Sequence, residues 1–411
     1  MKEKTKIHGL LVEAIAQALS EIFTSNRYAD KVIEFYLKKN RKWGARDRKF
    51  FAESVYEVVR WWRYLWWLKG QEDLDGLSLD LNELKSLWAH WWAWKKEEVL
   101  EPYLSTSDFD KLKVQLAKNT PPAIQSSIPD WLYQRGLKEL GEDVWLKTLK
   151  TLNEPALVYL RTNTLKISAD KLILKLKDEG VDCYLVDNKN TSNLETIALS
   201  ERKNVFATQA FQLGYFVVQD WSSQQVASML DVAPGMRVID ACAGAGGKTL
   251  HIATLMKNKG KIIALDIHEW KLKELRTRAS RCGVDVIEVK VLEGQKTIKR
   301  MEETADRVLL DVPCSGVGVL RRNSDSKWKL SLDEIDRLTQ LQQEILFSYS
   351  RMVKKGGKLV YSTCSILPTE NEIQVKTFLE KNPEFSLVKQ LTFMPQDFNS
   401  DGFYMAQLVR K

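Results

Sequence analysis

The sequence predicts an α/β domain built on a doubly wound, mostly parallel sheet, preceded by an all-α region and a small α+β unit. Three observations carry this. From about Phe206 onward, short apolar runs alternate with helical segments, the signature of a parallel sheet with helices on both faces. Residues 1 to about 117 show helical spacing without a clear strand pattern. Between the two regions, a pair of short strand-like runs flanks one amphipathic helix. A chain of 411 residues fits two or three domains, and the boundaries fall at 1–125, 126–206 and 207–411.

In the first region, Leu10, Leu11, Ile15, Leu19 and Ile22 recur at helical spacing, followed by Val32, Ile33, Tyr36 and Leu37. A third helix, Arg46 to Leu68, carries Phe50, Phe51, Val55, Val58, Val59, Trp62 and Leu65. The stretch Lys38–Lys49, which joins the second helix to the third, holds seven basic residues and one acid. It is a candidate phosphate contact, weighed against a solvated turn. Nine of the fourteen tryptophans lie in this region. Doublets such as Trp61-Trp62 and Trp66-Trp67 are read as core filling rather than base-stacking platforms, because no strand-borne platform accompanies them.

Residues 118–127 contain Pro121-Pro122 and read as a linker. Ile128-Pro129-Asp130-Trp131 opens a helix. Leu157 to Thr162 is a strand, Asp170 to Glu179 a helix ended by Gly180, and Val181 to Val186 a strand. In the last region the predicted strands are Arg237–Cys242, Lys261–Asp266, Asp285–Leu292, Arg307–Val312 and Lys358–Cys364. Ser386–Phe393 and Phe403–Val409 close the sheet as an antiparallel hairpin.

Composition narrows the function class. A net charge of +8 and a pI near 9.0 favour an acidic partner, nucleic acid first. Five cysteines without a CxxC argue against a disulfide framework and against a zinc cluster, so no metal is expected and a reducing, cytoplasmic location fits. The start, Met1 to Lys6, leads into an amphipathic segment, so neither a signal peptide nor a membrane span is expected.

The stretch Asp240-Ala241-Cys242-Ala243-Gly244-Ala245-Gly246-Gly247-Lys248-Thr249 joins a strand to a helix through a glycine-rich turn. Glycines there let a ligand approach the backbone, and the helix start offers free N–H groups. A dinucleotide would want a third glycine where Thr249 stands. A nucleoside triphosphate would want a glycine where Cys242 stands, although Gly247-Lys248-Thr249 fits the end of such a loop and Asp311 could serve as the acid of a P-loop enzyme. S-adenosylmethionine suits the residues best. Asp240 offers an acid to its amino group, the glycine turn leaves room for its methionine part, and Asp266 at the end of the next strand can accept both ribose hydroxyls. The competing reading of Asp266 is a helix N-cap.

Cys314, in Asp311-Val312-Pro313-Cys314-Ser315-Gly316, and Cys364, in Tyr361-Ser362-Thr363-Cys364-Ser365, each follow the end of a predicted parallel strand. Ligands bind at the carboxyl ends of such strands. Two thiols and the Asp311 carboxylate therefore look into one cleft. That equipment suits covalent addition to activate a weakly nucleophilic carbon.

On these residues the chain resembles the RNA (cytosine-5)-methyltransferases, and most closely the bacterial small-subunit ribosomal RNA members. Support comes also from Val218 to Gln224, Arg321 to Trp328 and Asp401 to Ala406. The first region is similar to the NusB-like RNA-binding domain of that family through Arg46 to Glu53. The resemblance implies a Rossmann-like, seven-stranded S-adenosylmethionine-dependent methyltransferase fold, a cytosine in RNA as substrate (16S ribosomal RNA or a small-subunit assembly intermediate), and 5-methylcytosine as product. It assigns the nucleophile to Cys364 and product release to Cys314. It places Asp311 on the base, with Lys248 near the base or a thiol, and Asp240, Cys242 to Lys248, Asp266, Glu293 and Asp311 around the cofactor. Three positions depart from the family: Ala245 replaces a usual Pro, Val312 a usual Ala, and Glu293 a usual Asp. The readings outside this class are a ribosome-assembly factor that binds RNA without modifying it, and a P-loop-like NTPase.

Overall fold

The computed structural model describes residues 7–186 and 196–411. It divides into two units: residues 1–153 with Leu320–Leu332, and residues 154–319 with 333–411.

The first unit is helical. Its core packs the helices Gly9–Thr24, Ala29–Lys39, Ala45–Arg60 and Leu81–Lys96. The stripe Leu11, Ile15, Leu19 and Ile22 is buried as its spacing requires, whereas Leu10 is exposed. Asp80 starts the helix Leu81–Lys96 by accepting the N–H groups of Asn82 and Glu83. Trp62, Trp66, Trp67, Trp88, Trp91 and Trp92 are all buried. Their faces meet other rings, such as Phe23 against Trp62 at 3.6 Å, so these tryptophans fill the core and are closed to a base. The 118–127 stretch is more than a linker: Pro122–Gln125 forms a short helix that buries Ala123 and Ile124.

Leu320–Leu332 is part of this unit although it follows the Cys314 stretch in sequence. Hydrogen bonds to backbone groups at helix ends hold it. The Asp325 carboxylate accepts the Ala29 N–H at 2.9 Å, at the start of one helix. The buried Lys327 amino group, whose affinity for a proton burial lowers well below the usual range, donates to the Arg60 carbonyl at 2.8 Å, at the end of another. The Trp328 indole donates to the Val59 carbonyl at 2.8 Å.

The second unit holds two sheets. The smaller joins β1 (Tyr159–Thr162), β2 (Cys183–Leu185), β3 (Thr196–Leu199) and β4 (Phe216–Val218) in the order β2-β3-β1-β4, all antiparallel. Two of these strands, β3 and β4, were not expected. They are four and three residues long, as short as β1 and β2, and lack the long amphipathic helix that marks that pair in the sequence. β4 also carries the small sheet past residue 206.

The larger sheet has, among the described residues, seven strands: β5 (Arg237–Asp240), β6 (Lys261–Asp266), β7 (Ile287–Val291), β8 (Ala305–Asp311), β9 (Val353–Thr363), β10 (Phe385–Phe393) and β11 (Phe403–Arg410). Their order is β10-β11-β9-β8-β5-β6-β7, with β5 to β9 parallel and β11 antiparallel to both its neighbours. This is the expected doubly wound arrangement with a terminal hairpin. The strand order reverses at β5, which pairs with β6 on one side and β8 on the other. Crevices form at the carboxyl ends of strands at such a reversal, and Asp240 and Asp311 stand at those two ends. Among the described residues no helix is long and apolar enough to cross a membrane.

Candidate active site

After β5 the chain turns through residues 241–246 into the helix Gly247–Leu255. The three glycines of the turn have different jobs. Gly244 has φ +53° and Gly246 φ +84°, conformations that favour glycine. At Gly246 a Cβ would lie 2.5 Å from Leu275 Cγ, so this glycine lets the turn pack on the helix Glu269–Cys282. At Gly244 and Gly247 a Cβ would meet nothing within 4 Å, so there the backbone faces open space.

That space is a cavity of about 220 Å³ lined by Gln219, Ser223, Asp240, Cys242, Ala243, Gly244, Ala245, Gly247, Lys248 and Asp311. It is smaller than the roughly 300–1,000 Å³ of a complete small-molecule site, so it takes one end of an extended ligand. Two acceptors on its wall are buried without a hydrogen-bond partner: Asp240 Oδ1 and Gln219 Oε1. The other Asp240 oxygen accepts the Thr249 hydroxyl at 2.7 Å. Burial pushes the Asp240 carboxyl up to about 7, against the pull of the Thr249 hydrogen bond. Two orphaned acceptors call for a ligand rich in donors, such as an ammonium group. The resident chain thus fits the methionine end of S-adenosylmethionine.

Asp266 is not on the cavity wall but adjoins it. Its carboxylate accepts the Gly244 N–H at 2.9 Å and the His268 N–H at 2.8 Å. The following helix starts at Glu269 with His268 as its cap residue, so Asp266 is not that helix's N-cap. Glu293 lies exposed after β7, away from the cavity wall, and its N–H points to the Thr297 hydroxyl. Cys242 is half-buried. Burial first, then the carboxylates of Asp240, Asp311 and Asp266, keep its thiol well above the usual range, so it stays protonated.

Lys248 does not face solvent. Its ammonium pairs with Asp311 Oδ2 at 2.6 Å and sits 5.0 Å from the centre of the Phe403 ring. The second Asp311 oxygen accepts the Ser362 hydroxyl at 3.0 Å, across the β8–β9 register that pairs these two residues. Three residues past Asp311 and two past Ser362 come the thiols. Cys314 Sγ lies 3.3 Å from Cys364 Sγ. The contact with Cys364, then burial, raise the Cys314 thiol well above its usual range.

The cavity therefore gathers eight of the expected site residues, and the thiols come together as a pair on the loops after β8 and β9, outside the cavity lining. Gly246 serves packing instead. Gln219 and Ser223 carried no expected role. Their stretch was singled out only by resemblance, and nothing in its spacing marks two side chains that turn toward a loop further along the chain. Gln342, Glu370 and Asn371, which surround the cysteine loops, carried no sequence signal at all, and Ser315 stood in the Cys314 motif without a role of its own.

Comparison with known proteins identifies the architecture. Residues 227–409 match the family described as 16S rRNA methyltransferase RsmB/F, and residues 128–193 match the ferredoxin-like domain of RsmF/B-like methyltransferases. The chain is similar to a probable ribosomal RNA small subunit methyltransferase B of Bacillus subtilis, 35% identical over 308 residues that cover 70% of this chain and 68% of that protein. Among solved structures, a protein titled PH0851 superposes with a TM-score of 0.79 at 26% identity, covering 99% of this chain and all of that one. A methyltransferase homolog protein from Pyrococcus horikoshii gives 0.62 at 27% identity, covering 71% of this chain and 98% of that one. The glycine turn, the paired thiols and these likenesses agree: the chain belongs to the 16S rRNA methyltransferase RsmB/F family and is an S-adenosylmethionine-dependent RNA methyltransferase.

Proposed function

We propose that this enzyme methylates C5 of a cytosine in 16S ribosomal RNA, working in the cytoplasm, through a covalent adduct between Cys364 and C6 of the base. The observation that carries this reading is the 3.3 Å pair of thiols on the loops that follow β8 and β9, with the Lys248–Asp311 ion pair at the end of β8. C5 of cytosine is a poor nucleophile. Addition of the Cys364 thiolate to C6 forms an S–C6 bond and pushes the C5=C6 electron pair onto C5. Asp311 hydrogen-bonds the N3 or amino edge and favours the protonated ring that accepts the thiolate. Bound S-adenosylmethionine supplies an electrophilic methyl group on a sulfonium. Once C5 carries the methyl, loss of the C5 proton restores C5=C6 and breaks the S–C6 bond. Cys314, held as a thiol, gives its proton to the departing Cys364 sulfur and takes up the C5 proton in its place. The base must be single-stranded or flipped out to reach these groups. Bisulfite sequencing of ribosomal RNA from cells with and without the gene tests the reading. A cytosine protected only when the gene is present supports it, and no such position would overturn it.

Within the cofactor site, Asp240 and Gln219 hold the ammonium group, Gly244, Ala245 and Gly247 border the methionine part, and Asp266 takes the ribose. A pH dependence follows. Between its ordinary value of 3.8 and about 7, folded Asp240 keeps a proton that the unfolded chain has lost. Its burial therefore costs stability progressively as pH rises through that window. An ammonium needs the ionised form, so affinity for S-adenosylhomocysteine is expected to weaken below pH 7, approaching roughly tenfold per unit. Calorimetry across that range checks this. A flat profile, or one that Asp240→Asn leaves unchanged, removes Asp240 from the amino group.

The helical unit is the proposed RNA-gripping part, with the 38–49 stretch as its phosphate contact. Arg41, Lys42 and Arg46 are exposed, whereas Arg48 donates to the Leu37 carbonyl at 2.9 Å and serves the fold. Arg41→Ala/Lys42→Ala/Arg46→Ala is expected to weaken RNA binding and flatten its salt dependence by about 0.7 to 0.9 log units of slope per lost contact. Cofactor affinity should not move. An unchanged slope means a solvated turn.

A further inference from the structure

The thiols lie on two loops, one after β8 and one after β9, and their separation depends on how those loops are held. A single buried dipeptide, Glu370-Asn371, holds both. Glu370 Oε1 accepts the Ser315 N–H at 2.8 Å and the Gln342 amide at 3.0 Å, while Oε2 accepts the Ser315 hydroxyl at 2.5 Å. The same Gln342 amide donates to the Pro313 carbonyl at 2.9 Å. The backbone is thus gripped on both sides of Cys314. Asn371 does the same for Cys364: its oxygen accepts the Thr363 hydroxyl at 2.5 Å, and its amide donates to the Ser365 carbonyl at 3.1 Å.

We propose that Glu370 and Asn371 are positioning residues for methyl transfer, Glu370 setting Cys314 and Asn371 setting Cys364. This rests on the thiol roles given above. The division of labour follows from the chemistry of each side chain. The Cys314 loop turns a backbone N–H and a hydroxyl inward, and a carboxylate satisfies both with acceptors alone. The Cys364 loop presents one hydroxyl donor and one carbonyl acceptor, and only an amide answers both. All of these groups are fully or nearly buried, so water cannot replace a lost partner and each loop would shift. The Glu370 charge also adds to the elevation of the Cys314 thiol, in keeping with a thiol that stays protonated.

The test compares each residue with the thiol it serves. Glu370→Ala is expected to lower kcat by about 10- to 100-fold with KM nearly unchanged, as misplacement of a reacting group does. It should also accumulate a denaturant-resistant protein–RNA complex, as Cys314→Ala does. Glu370→Gln should recover most activity, because its oxygen keeps both N–H contacts and the Ser315 hydroxyl can turn to accept its amide. Asn371→Ala should lose activity and form no complex, as Cys364→Ala does, and Asn371→Asp should not restore it, since it cannot donate to the Ser365 carbonyl. S-adenosylhomocysteine affinity should be unchanged throughout. If Glu370→Ala fails to fold, Ser315→Ala removes one of the same contacts from the other side and should behave alike. Wild-type kcat in Glu370→Ala, or one shared pattern for Glu370→Ala and Asn371→Ala with cofactor affinity falling in step, overturns the proposal. If Cys314→Ala and Cys364→Ala themselves show other signatures, the thiol roles fail. The pairing of Glu370 with Cys314 and of Asn371 with Cys364 is still read from whether their signatures match.

Discussion

Cys364→Ala is expected to abolish methyl transfer, by about 10⁴-fold or more, and to form no covalent complex with RNA. Cys314→Ala is expected to form that complex and hold it. The two thiols are only 3.3 Å apart, so proximity alone gives both access to the same base. Their roles separate on chemistry. The group that opens the reaction must become a thiolate, while the group that helps close it must exchange a proton. Cys314 is pushed well above the usual thiol range by its contact with Cys364, by burial and by the Glu370 carboxylate, so it keeps its proton. Without Cys314 the adduct forms, but loss of the C5 proton and expulsion of the thiol slow down, and protein stays attached to RNA. A denaturing gel after incubation with 16S RNA and cofactor reads both outcomes. A persistent band in Cys364→Ala together with none in Cys314→Ala would exchange the roles.

Asp311→Asn is expected to cost about 10²- to 10⁴-fold in methyl transfer, the range for loss of a group that controls a proton in the transition state. The substitution keeps shape but removes the charge that pairs with Lys248 at 2.6 Å, leaving a largely buried ammonium without its counter-ion. It also leaves the base edge with a weaker partner, so the ring is less readily protonated and C6 less open to attack. The covalent complex should therefore be missing as well, even when Cys314→Ala is present to trap it. RNA affinity, governed by many phosphate contacts, should change little. A double variant that still traps the complex at the level of Cys314→Ala would place Asp311 outside the adduct-forming step.

Much of the catalytic sheet was legible because its strands are four to eleven residues long and most are buried on both faces. Continuous apolar runs of that kind, broken by polar turns and helical spacing, admit few other readings. The glycine turn and the two cysteine motifs were legible for a related reason: each follows directly from a strand end, so local sequence already places it at the ligand-binding edge. The small sheet was half legible. β1 and β2 flank an amphipathic helix, whereas β3 and β4 carry no such marker and become strands by pairing, β3 with β1 and β2 and β4 with β1.

The sequence by itself determined the class of fold, the acid–glycine turn, the order of the two thiol loops and the burial of most tryptophans of the helical region, since periodicity and short motifs act over one element or one turn. Tertiary structure alone decided which strands are neighbours, and with them the contacts that cross between loops. It set Lys248 against Asp311, brought Gln219 to the wall of a cavity built further along the chain, and drew Leu320–Leu332 into the helical unit through Asp325 and Lys327. It also set Glu370 and Asn371 against Ser315 and Thr363. These contacts join residues far apart in the chain, and each forms because a buried donor or charge must find a partner. No local pattern names that partner, for it is whatever the packed chain leaves within reach.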